Sequence, residues 1–119
     1  MSTKNCNVAG ITFRIAEHPE IAELRPVGCV QLEAEPDNKF DKKAIKVIWQ
    51  GVHIGYVPKS ELQDEMHSAW KAGRYIDASV EKYRCMDNEK WDDEKGSLQS
   101  ITLLIDTHPG YSDGKDEYI

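Results

Sequence analysis

The sequence lacks a long apolar run and a closely spaced cysteine pair, and each absence excludes a class of protein. No apolar stretch approaches the roughly 18 residues that a membrane span needs. Residues 1–7 lack the apolar region of a signal peptide. The odd set of widely spaced cysteines (Cys6, Cys29 and Cys85) favours free thiols in a reducing compartment. We therefore expect a cytoplasmic protein that makes no contact with membranes.

Signatures of catalysis and of metal binding are also missing. The four histidines are scattered, without the spacing of zinc ligands. The chain contains no G-x-S-x-G, Walker or H-E-x-x-H motif. Cys85 follows Arg84, but neighbours on a strand point to opposite faces, so an activated thiolate is not indicated. We expect a non-catalytic protein with no metal and no cofactor.

Positive charge is scarce and unevenly distributed. The 119 residues carry 15 basic and 21 acidic side chains, for a formal net charge of -6. Residues 1–60 hold 8 basic and 7 acidic side chains, whereas residues 61–119 hold 7 and 14. This excludes the uniformly basic footprint typical of proteins that bind long duplex DNA. Any contact with nucleic acid should be small and should come from the first half.

Hydrophobic periodicity predicts strands joined by turns, with two helices. A short helix is expected over residues 19–24. The main helix is expected to have Ser60 as its N-cap and Gln63 as the partner in a capping box. It should run to about Lys71, with Gly73 as its left-handed C-terminal residue. The predicted strands cover residues 10–16, 27–34, 44–49, 52–57, 75–83 and 101–105.

This order of elements predicts a mainly β protein, a small six-stranded barrel or half-barrel with one main and one short helix. Residues 1–8 are expected to be a flexible N-terminus, 9–107 the domain and 108–119 a frayed tail. Ile11, Phe13 and Ile15 should share the buried face of the first strand. Cys29 should be a small core residue. Residues 87–96 are expected to form a solvated hairpin loop.

The predicted loop over residues 35–43 contains an unusual pair, Phe40 and Asp41. An aromatic ring on a loop can stack on a nucleobase, and the nearby lysines, Lys39, Lys42 and Lys43, can meet phosphates. A carboxylate repels phosphate, so Asp41 suits DNA only where the partner presents a hydroxyl donor, as a strand terminus does. The alternative is that Phe40 plugs the end of the barrel and Asp41 caps a turn.

A second candidate lies at the end of the fourth predicted strand, over residues 54–59. Gly55 allows a bulge or a close approach of another backbone. Lys59 precedes the predicted helix start, and a lysine beside a helix N-terminus can hold an anion. Alternatively, the strand simply stops at Pro58 and Lys59 is solvated.

These two motifs carry a resemblance to a known family. Residues 35–47 read E-P-D-N-K-F-D-K-K-A-I-K-V, and residues 54–58 read I-G-Y-V-P. At this spacing the chain closely resembles the HIRAN domain over residues 9–106. The resemblance implies a small OB- or SH3-like β-barrel. It also implies a module that captures the 3′ end of single-stranded DNA, in a context of DNA repair and replication forks. Members of the family are often fused to helicase-like ATPases, so such an ATPase or another repair protein is a candidate partner.

The same resemblance implies roles for particular residues. Phe40 would stack on the terminal base, and Asp41 would accept a hydrogen bond from the 3′-hydroxyl. Asn38 would touch a base edge. Tyr56 and Lys59 would face the terminal phosphates.

The sequence also departs from the family pattern. The DNA-binding members carry an Arg-Tyr pair after the first strand, where an ungapped comparison places His18 and Pro19. His18 would be a partly charged substitute near neutral pH. Trp91 is a candidate, by residue type, for the family's second stacking aromatic. An alternative function follows, that of a protein-interaction module on the same barrel that has lost DNA binding.

Overall fold

The computed structural model describes residues 2–107, which form eight strands, two α-helices and one 3₁₀ helix. The mainly β class is confirmed, with eight strands in place of the six expected. The predicted tail over residues 108–119 lies outside the described residues. In chain order the elements are β1 (Ser2–Asn7), α1 (Ile11–Glu17), the 3₁₀ helix (Pro19–Glu23), β2 (Gly28–Cys29), β3 (Gln31–Ala34), β4 (Ile45–Trp49), β5 (Val52–Tyr56), α2 (Glu61–Lys71), β6 (Ile76–Asp87), β7 (Lys90–Trp91) and β8 (Ser97–Thr107).

The strands form two antiparallel sheets that meet at two junctions. One sheet has the order β1-β8-β6-β2 with β7 beside β6, and the other has the order β3-β4-β5. At the first junction the chain passes from β2 into β3 through Val30, whose N–H donates to the Ala78 carbonyl at 3.0 Å. At the second junction Ala9 and Tyr56 exchange backbone hydrogen bonds of 2.7 and 2.9 Å. Together the sheets enclose one core in a barrel-like arrangement.

The core draws on both sheets and on one face of α2. β8 contributes buried residues along its whole length, and Met66 and Ala69 of α2 are buried against the sheets. None of the helices in residues 2–107 is long and apolar enough to cross a membrane. The buried core side chains with no exposed surface are Ile45, Val47, Ile54, Met66, Cys85, Leu98, Ile101 and Leu103.

The expected flexible N-terminus differs from the structure, because residues 2–7 form β1. The strand pairs with β8 in a register that runs from Ser2 opposite Thr107 to Asn7 opposite Thr102. The segment is too polar to indicate a strand by itself. Its partner supplies the apolar character, since Leu103 and Ile105 of β8 are buried.

The predicted strand over residues 10–16 is wrong, because this segment is the helix α1. Gly10 has a φ of 77°, which ends the extended path, and its carbonyl accepts the N–H of Arg14 at 2.9 Å. Ile11 and Ile15 are also one helical turn apart, so the spacing fits a helix equally well. Ile11 is buried in the core, whereas Phe13 leaves 66% of its surface exposed.

The predicted strand over residues 27–34 is divided between the two sheets at Val30. Val30 is buried at this change of sheet. Cys29, which was expected in the core, is exposed instead. The expectation is wrong because adjacent residues of an extended chain point to opposite faces. Here Val30 points to the core, so Cys29 does not.

The main helix α2 confirms the predicted span but not its predicted cap. Gly73 has a φ of 77°, and its N–H donates to the Trp70 carbonyl, as expected for a left-handed C-terminal residue. Ser60 donates its hydroxyl to the Pro58 carbonyl at 3.2 Å, in place of the capping interaction. The side chain of Gln63 reaches Asp41, so it does not complete a capping box.

The remaining expectations agree with the structure in their main features. Residues 35–43 form a loop, and the hairpin between β4 and β5 turns at Gln50 and Gly51. β6 and β8 are both longer than predicted. The expected hairpin loop over residues 87–96 contains the short strand β7.

Candidate nucleic-acid interface

An open groove of about 940 Å³ lies along the loop of residues 35–43. Its walls come from this loop, from the end of β5 and from α1. Five residues singled out in the sequence lie together along it, and they are Asn38, Phe40, Asp41, Tyr56 and Lys59.

Asn38 gives the loop its shape. Its Oδ1 accepts the N–H groups of Phe40 and Asp41, both at 2.9 Å. Its Nδ2 donates to Oε1 of Glu35 at 2.8 Å. Hydrogen bonds that an asparagine side chain accepts from the backbone N–H groups after it are typical of tight turns. The amide of Asn38 thus orients the two residues after it, and its contact with a base edge stays a prediction.

The ring of Phe40 is open to solvent. It leaves 93% of its surface exposed, so it does not plug the end of the barrel as the alternative required. A large apolar side chain this exposed buries almost no surface within the chain, and it is therefore available for stacking.

The carboxylate of Asp41 is held by two donors on two different oxygens. Oδ1 accepts the N–H of Lys43 at 2.9 Å, and Oδ2 accepts Nε2 of Gln63 at 2.8 Å. The hydrogen bond from Gln63, followed by that from the Lys43 N–H and the charge of Lys59, holds the pKa of Asp41 below its usual value, although burial opposes this. An ionised carboxylate has about four acceptor positions, so two remain for a ligand.

Glu35 lines the groove beside Tyr56. Its Oε1 accepts the hydroxyl of Tyr56 at 2.9 Å, and its Oε2 lies 3.8 Å from Nζ of Lys46. The hydrogen bond from Asn38 is the main reason that the pKa of Glu35 is lowered, with smaller contributions from Tyr56 and Lys46. Burial and the bond to Glu35 raise the pKa of Tyr56, so its hydroxyl stays neutral and keeps donating. Glu35 is not among the site residues predicted from the sequence, although it opens the family motif.

Two lysines on the groove are free to meet phosphates. Within residues 2–107, Lys39 and Lys59 form no salt bridge. Lys46 is engaged by Glu33 at 3.2 Å as well as by Glu35. The positive charge available to a ligand at this groove is therefore small.

Two sequence candidates do not line the groove. His18 lies between α1 and the 3₁₀ helix, with its Nδ1 3.8 Å from Glu20. Trp91 lies on β7, where the guanidinium of Arg84 stacks 4.4 Å from the ring centroid. The proposed roles of His18 as a phosphate contact and of Trp91 as a second aromatic have no support from this placement.

Phe13 is a second exposed aromatic residue on the groove, besides Phe40. It projects from α1 with 66% of its surface exposed. Phe13 is not among the site residues predicted from the sequence, because a strand over residues 10–16 puts it on a buried face. In a helix, the residue two positions after the buried Ile11 points away from the core. This spacing was the signal that could have identified Phe13.

No metal site accompanies these residues. In the part of the chain that the structure describes, no group of three or more histidine, cysteine, aspartate or glutamate side chains could hold an ion.

Comparisons with known proteins agree with the fold. Residues 3–93 match the HIRAN domain. The crystal structure of the HIRAN domain of human HLTF is similar, with a TM-score of 0.56 and 18% identity, covering 87% of this chain and 74% of that one. A structural-genomics crystal structure from Lactobacillus plantarum has a TM-score of 0.51 and 19% identity, covering 90% and 98%. A search of curated proteins found no match. Because the family match spans most of its length, this chain belongs to the HIRAN domain family.

Proposed function

We propose that this protein is a non-catalytic module that binds single-stranded DNA in the groove, with a preference for its 3′ end. The observation that carries the proposal is the exposed ring of Phe40 beside the ionised carboxylate of Asp41, both on the same groove. HIRAN domains are generally nucleic-acid-binding modules, which supports the same function. The family is one of binding domains, which supports the non-catalytic assignment.

The aromatic residues provide the surface for bases. Phe40 and Phe13 both line the groove and are both largely exposed. Base–aromatic stacking contributes about 1–3 kcal/mol per base and tolerates any sequence. We expect Phe40 to stack on the terminal base and Phe13 to stack on a neighbouring one.

The charges on the groove favour an end over the middle of a strand. Asp41 would repel an internal phosphate, but its free acceptor positions suit the hydroxyl of a 3′ terminus. Lys39 and Lys59, which form no salt bridge within residues 2–107, suit the one or two phosphates that precede the terminus. This combination supports recognition of a short terminal segment.

The proposed biological setting follows from the family. HIRAN domains often accompany helicase-like ATPases, so we propose that this module acts at exposed DNA ends in repair or replication. Its partner would be such an ATPase or another repair protein.

A short oligo-dT series tests the proposal by fluorescence anisotropy at low salt. The strands should carry a free 3′-hydroxyl, a 3′-phosphate or a blocked 5′ end. We expect the free 3′-hydroxyl to bind best, the 3′-phosphate to bind weakly, and the 5′ modification to have little effect. Equal binding of free and phosphorylated 3′ ends would exclude end capture. No binding to any strand at low salt would favour the alternative, a protein-interaction module on the same fold.

A further inference from the structure

Gln63 is a buried polar residue beside the carboxylate of Asp41. It lies in the first turn of α2 and leaves only 3% of its surface exposed. Burying an amide is costly unless it finds a hydrogen-bond partner. The partner of its Nε2 is Oδ2 of Asp41, at 2.8 Å.

The helix does not need this side chain as a cap. The backbone N–H of Gln63 donates to the Ser60 carbonyl at 3.1 Å, while its side chain is directed to the loop. A glutamine at this position in a capping box would turn back to the N-cap backbone. The hydrogen bond from Gln63 therefore holds the carboxylate of Asp41 in the loop and does not cap the helix.

Two donors restrict the carboxylate of Asp41 more than one donor can. The terminal torsion of an aspartate is broad, so a single hydrogen bond leaves the plane of the group poorly fixed. Here the Lys43 N–H binds one oxygen and Gln63 binds the other. The remaining acceptor positions then have a defined direction, which recognition of one hydroxyl requires.

We propose that Gln63 is a positioning residue that orients the carboxylate of Asp41 and thereby determines the preference for a terminus bearing a hydroxyl over one bearing a phosphate. The proposal rests on the proposed function, since the preference is a property of the same groove. The ionisation of Asp41 agrees with it, because the bond from Gln63 is the largest single cause that lowers the pKa of this carboxyl.

The neighbouring contacts of α2 provide a matched control. Asp64 forms an exposed salt bridge with Lys43 at 3.0 Å, and His67 Nε2 lies 2.8 Å from the Lys43 carbonyl. Both hold the same loop to the same helix, but neither contact involves the carboxylate of Asp41. Asp64→Asn therefore weakens the attachment of the loop while leaving the pair of Asp41 and Gln63 in place.

The first measurement uses the free protein and needs no DNA. The carboxyl carbon of Asp41 is titrated by NMR in the wild type, Gln63→Leu and Asp64→Asn. We expect the pKa of Asp41 to rise in Gln63→Leu and to change little in Asp64→Asn. An unchanged pKa of Asp41 in a folded Gln63→Leu variant would overturn the proposal, whatever the protein binds.

The second measurement is the ratio of affinities for strands ending in a 3′-hydroxyl and a 3′-phosphate. The loss of one hydrogen bond to a charged group should lower this ratio about tenfold in Gln63→Leu. Asp64→Asn should retain the wild-type ratio. Relative to the wild type at the same pH, Gln63→Glu should have a lower ratio near pH 8, where two carboxylates repel, and a ratio close to the wild-type value near pH 5, where a shared proton restores a donor.

The outcomes separate the two proposals. If the wild type shows no preference between ends, the proposed function fails, and the role of Gln63 in selectivity fails with it. If the wild type shows the preference and a folded Gln63→Leu keeps it, only the role of Gln63 fails. A Gln63→Glu ratio that stays equally far below the wild-type ratio at pH 8 and at pH 5 would also exclude orientation of Asp41 by a donated hydrogen bond.

Discussion

Phe40 illustrates how a single residue can serve binding without serving the fold. Its ring leaves 93% of its surface exposed, so folding gains almost nothing from it. Phe40→Ala should therefore change the free energy of unfolding by less than about 0.5 kcal/mol. The same change should weaken binding of single-stranded DNA by about 1–3 kcal/mol, because one stacking contact is lost. Denaturant unfolding and fluorescence anisotropy measure the two effects.

Trp91→Ala is the control for this prediction. Trp91 is also an exposed aromatic, with 53% of its surface accessible, but it lies on β7 and does not line the groove. Its removal should leave affinity for the oligonucleotide unchanged. Equal losses in the two variants would mean that exposed aromatic surface binds DNA without a defined site.

Glu35 gives a prediction about pH. Its carboxylate accepts hydrogen bonds from Asn38 and Tyr56, and its pKa is lowered from 4.5. A carboxyl whose pKa is depressed on folding stabilises the fold above its unfolded pKa, and this contribution is lost as the pH falls through the folded value. Glu35→Gln should thus lower Tm at pH 7, and the difference from the wild type should shrink at pH values below about 4.

Lys46 pairs with a second acidic residue besides Glu35, and this residue serves as the control. Glu33 pairs with Lys46 at 3.2 Å, but its side chain is 59% exposed, so the pair should contribute little. Glu33→Gln should have a smaller effect on Tm at pH 7 than Glu35→Gln. A Tm difference for Glu35→Gln that stays constant from pH 7 to pH 3 would show that the charge of Glu35 is not the cause.

The sequence indicates the site only where its parts are close along the chain. Phe40 and Asp41 are adjacent, and the turn residues around them predict an exposed loop, so their chemistry is readable without a fold. Phe13 reaches the groove from α1, and Gln63 reaches the carboxylate of Asp41 from α2. Their placement depends on how two helices pack on the sheets, and that information is not local.

At the scale of elements, the contact between β5 and the segment after β1 depends on one glycine. A Cβ on Gly55 would lie 2.6 Å from the carbonyl oxygen of Ala9 and would collide with the side chain of Val8. Gly55→Ala should separate these segments and destabilise the fold by about 1–3 kcal/mol. The amides of Ala9 and Tyr56, which bond each other's carbonyls, should lose protection from hydrogen exchange.

Gly51→Ala is the comparison for Gly55→Ala in the same hairpin. Gly51 has a φ of 81° and open space around its Cα, so only its backbone conformation opposes a side chain. This change should cost about 1–2 kcal/mol without selective loss of protection at Ala9 and Tyr56. If the two variants show the same pattern of hydrogen exchange, a collision of the new Cβ at position 55 does not separate the two segments.

Elements with strong local signals were predicted, and elements defined by their partners were not. The β4–β5 hairpin and α2 combine apolar periodicity with turn and terminus residues, and both are where the sequence placed them. β1 is polar and exists as a strand because β8 accepts it as an edge partner. The spacing of the apolar residues in α1 fits a strand and a helix equally well. The positive φ of Gly10 ends the extended path and decides in favour of the helix.

At the scale of the whole molecule, net charge limits how the protein can hold DNA. The chain carries a formal charge of -6, and within residues 2–107 only Lys39 and Lys59 on the groove are free of salt bridges. For binding to a single strand, each phosphate contact contributes about −0.7 to the slope of log K against the logarithm of the salt concentration. Two such contacts predict a shallow slope of about −1.4.

Substitution of one groove lysine should change this slope by a defined amount. Lys59→Gln should reduce its magnitude by about 0.7, because one phosphate contact is lost. Lys90→Gln, on β7 outside the groove, should leave it unchanged. Anisotropy titrations over a series of salt concentrations give the slopes. A wild-type slope steeper than about −3, or one that Lys90→Gln also reduces, would require a broader basic contact with DNA than this groove provides.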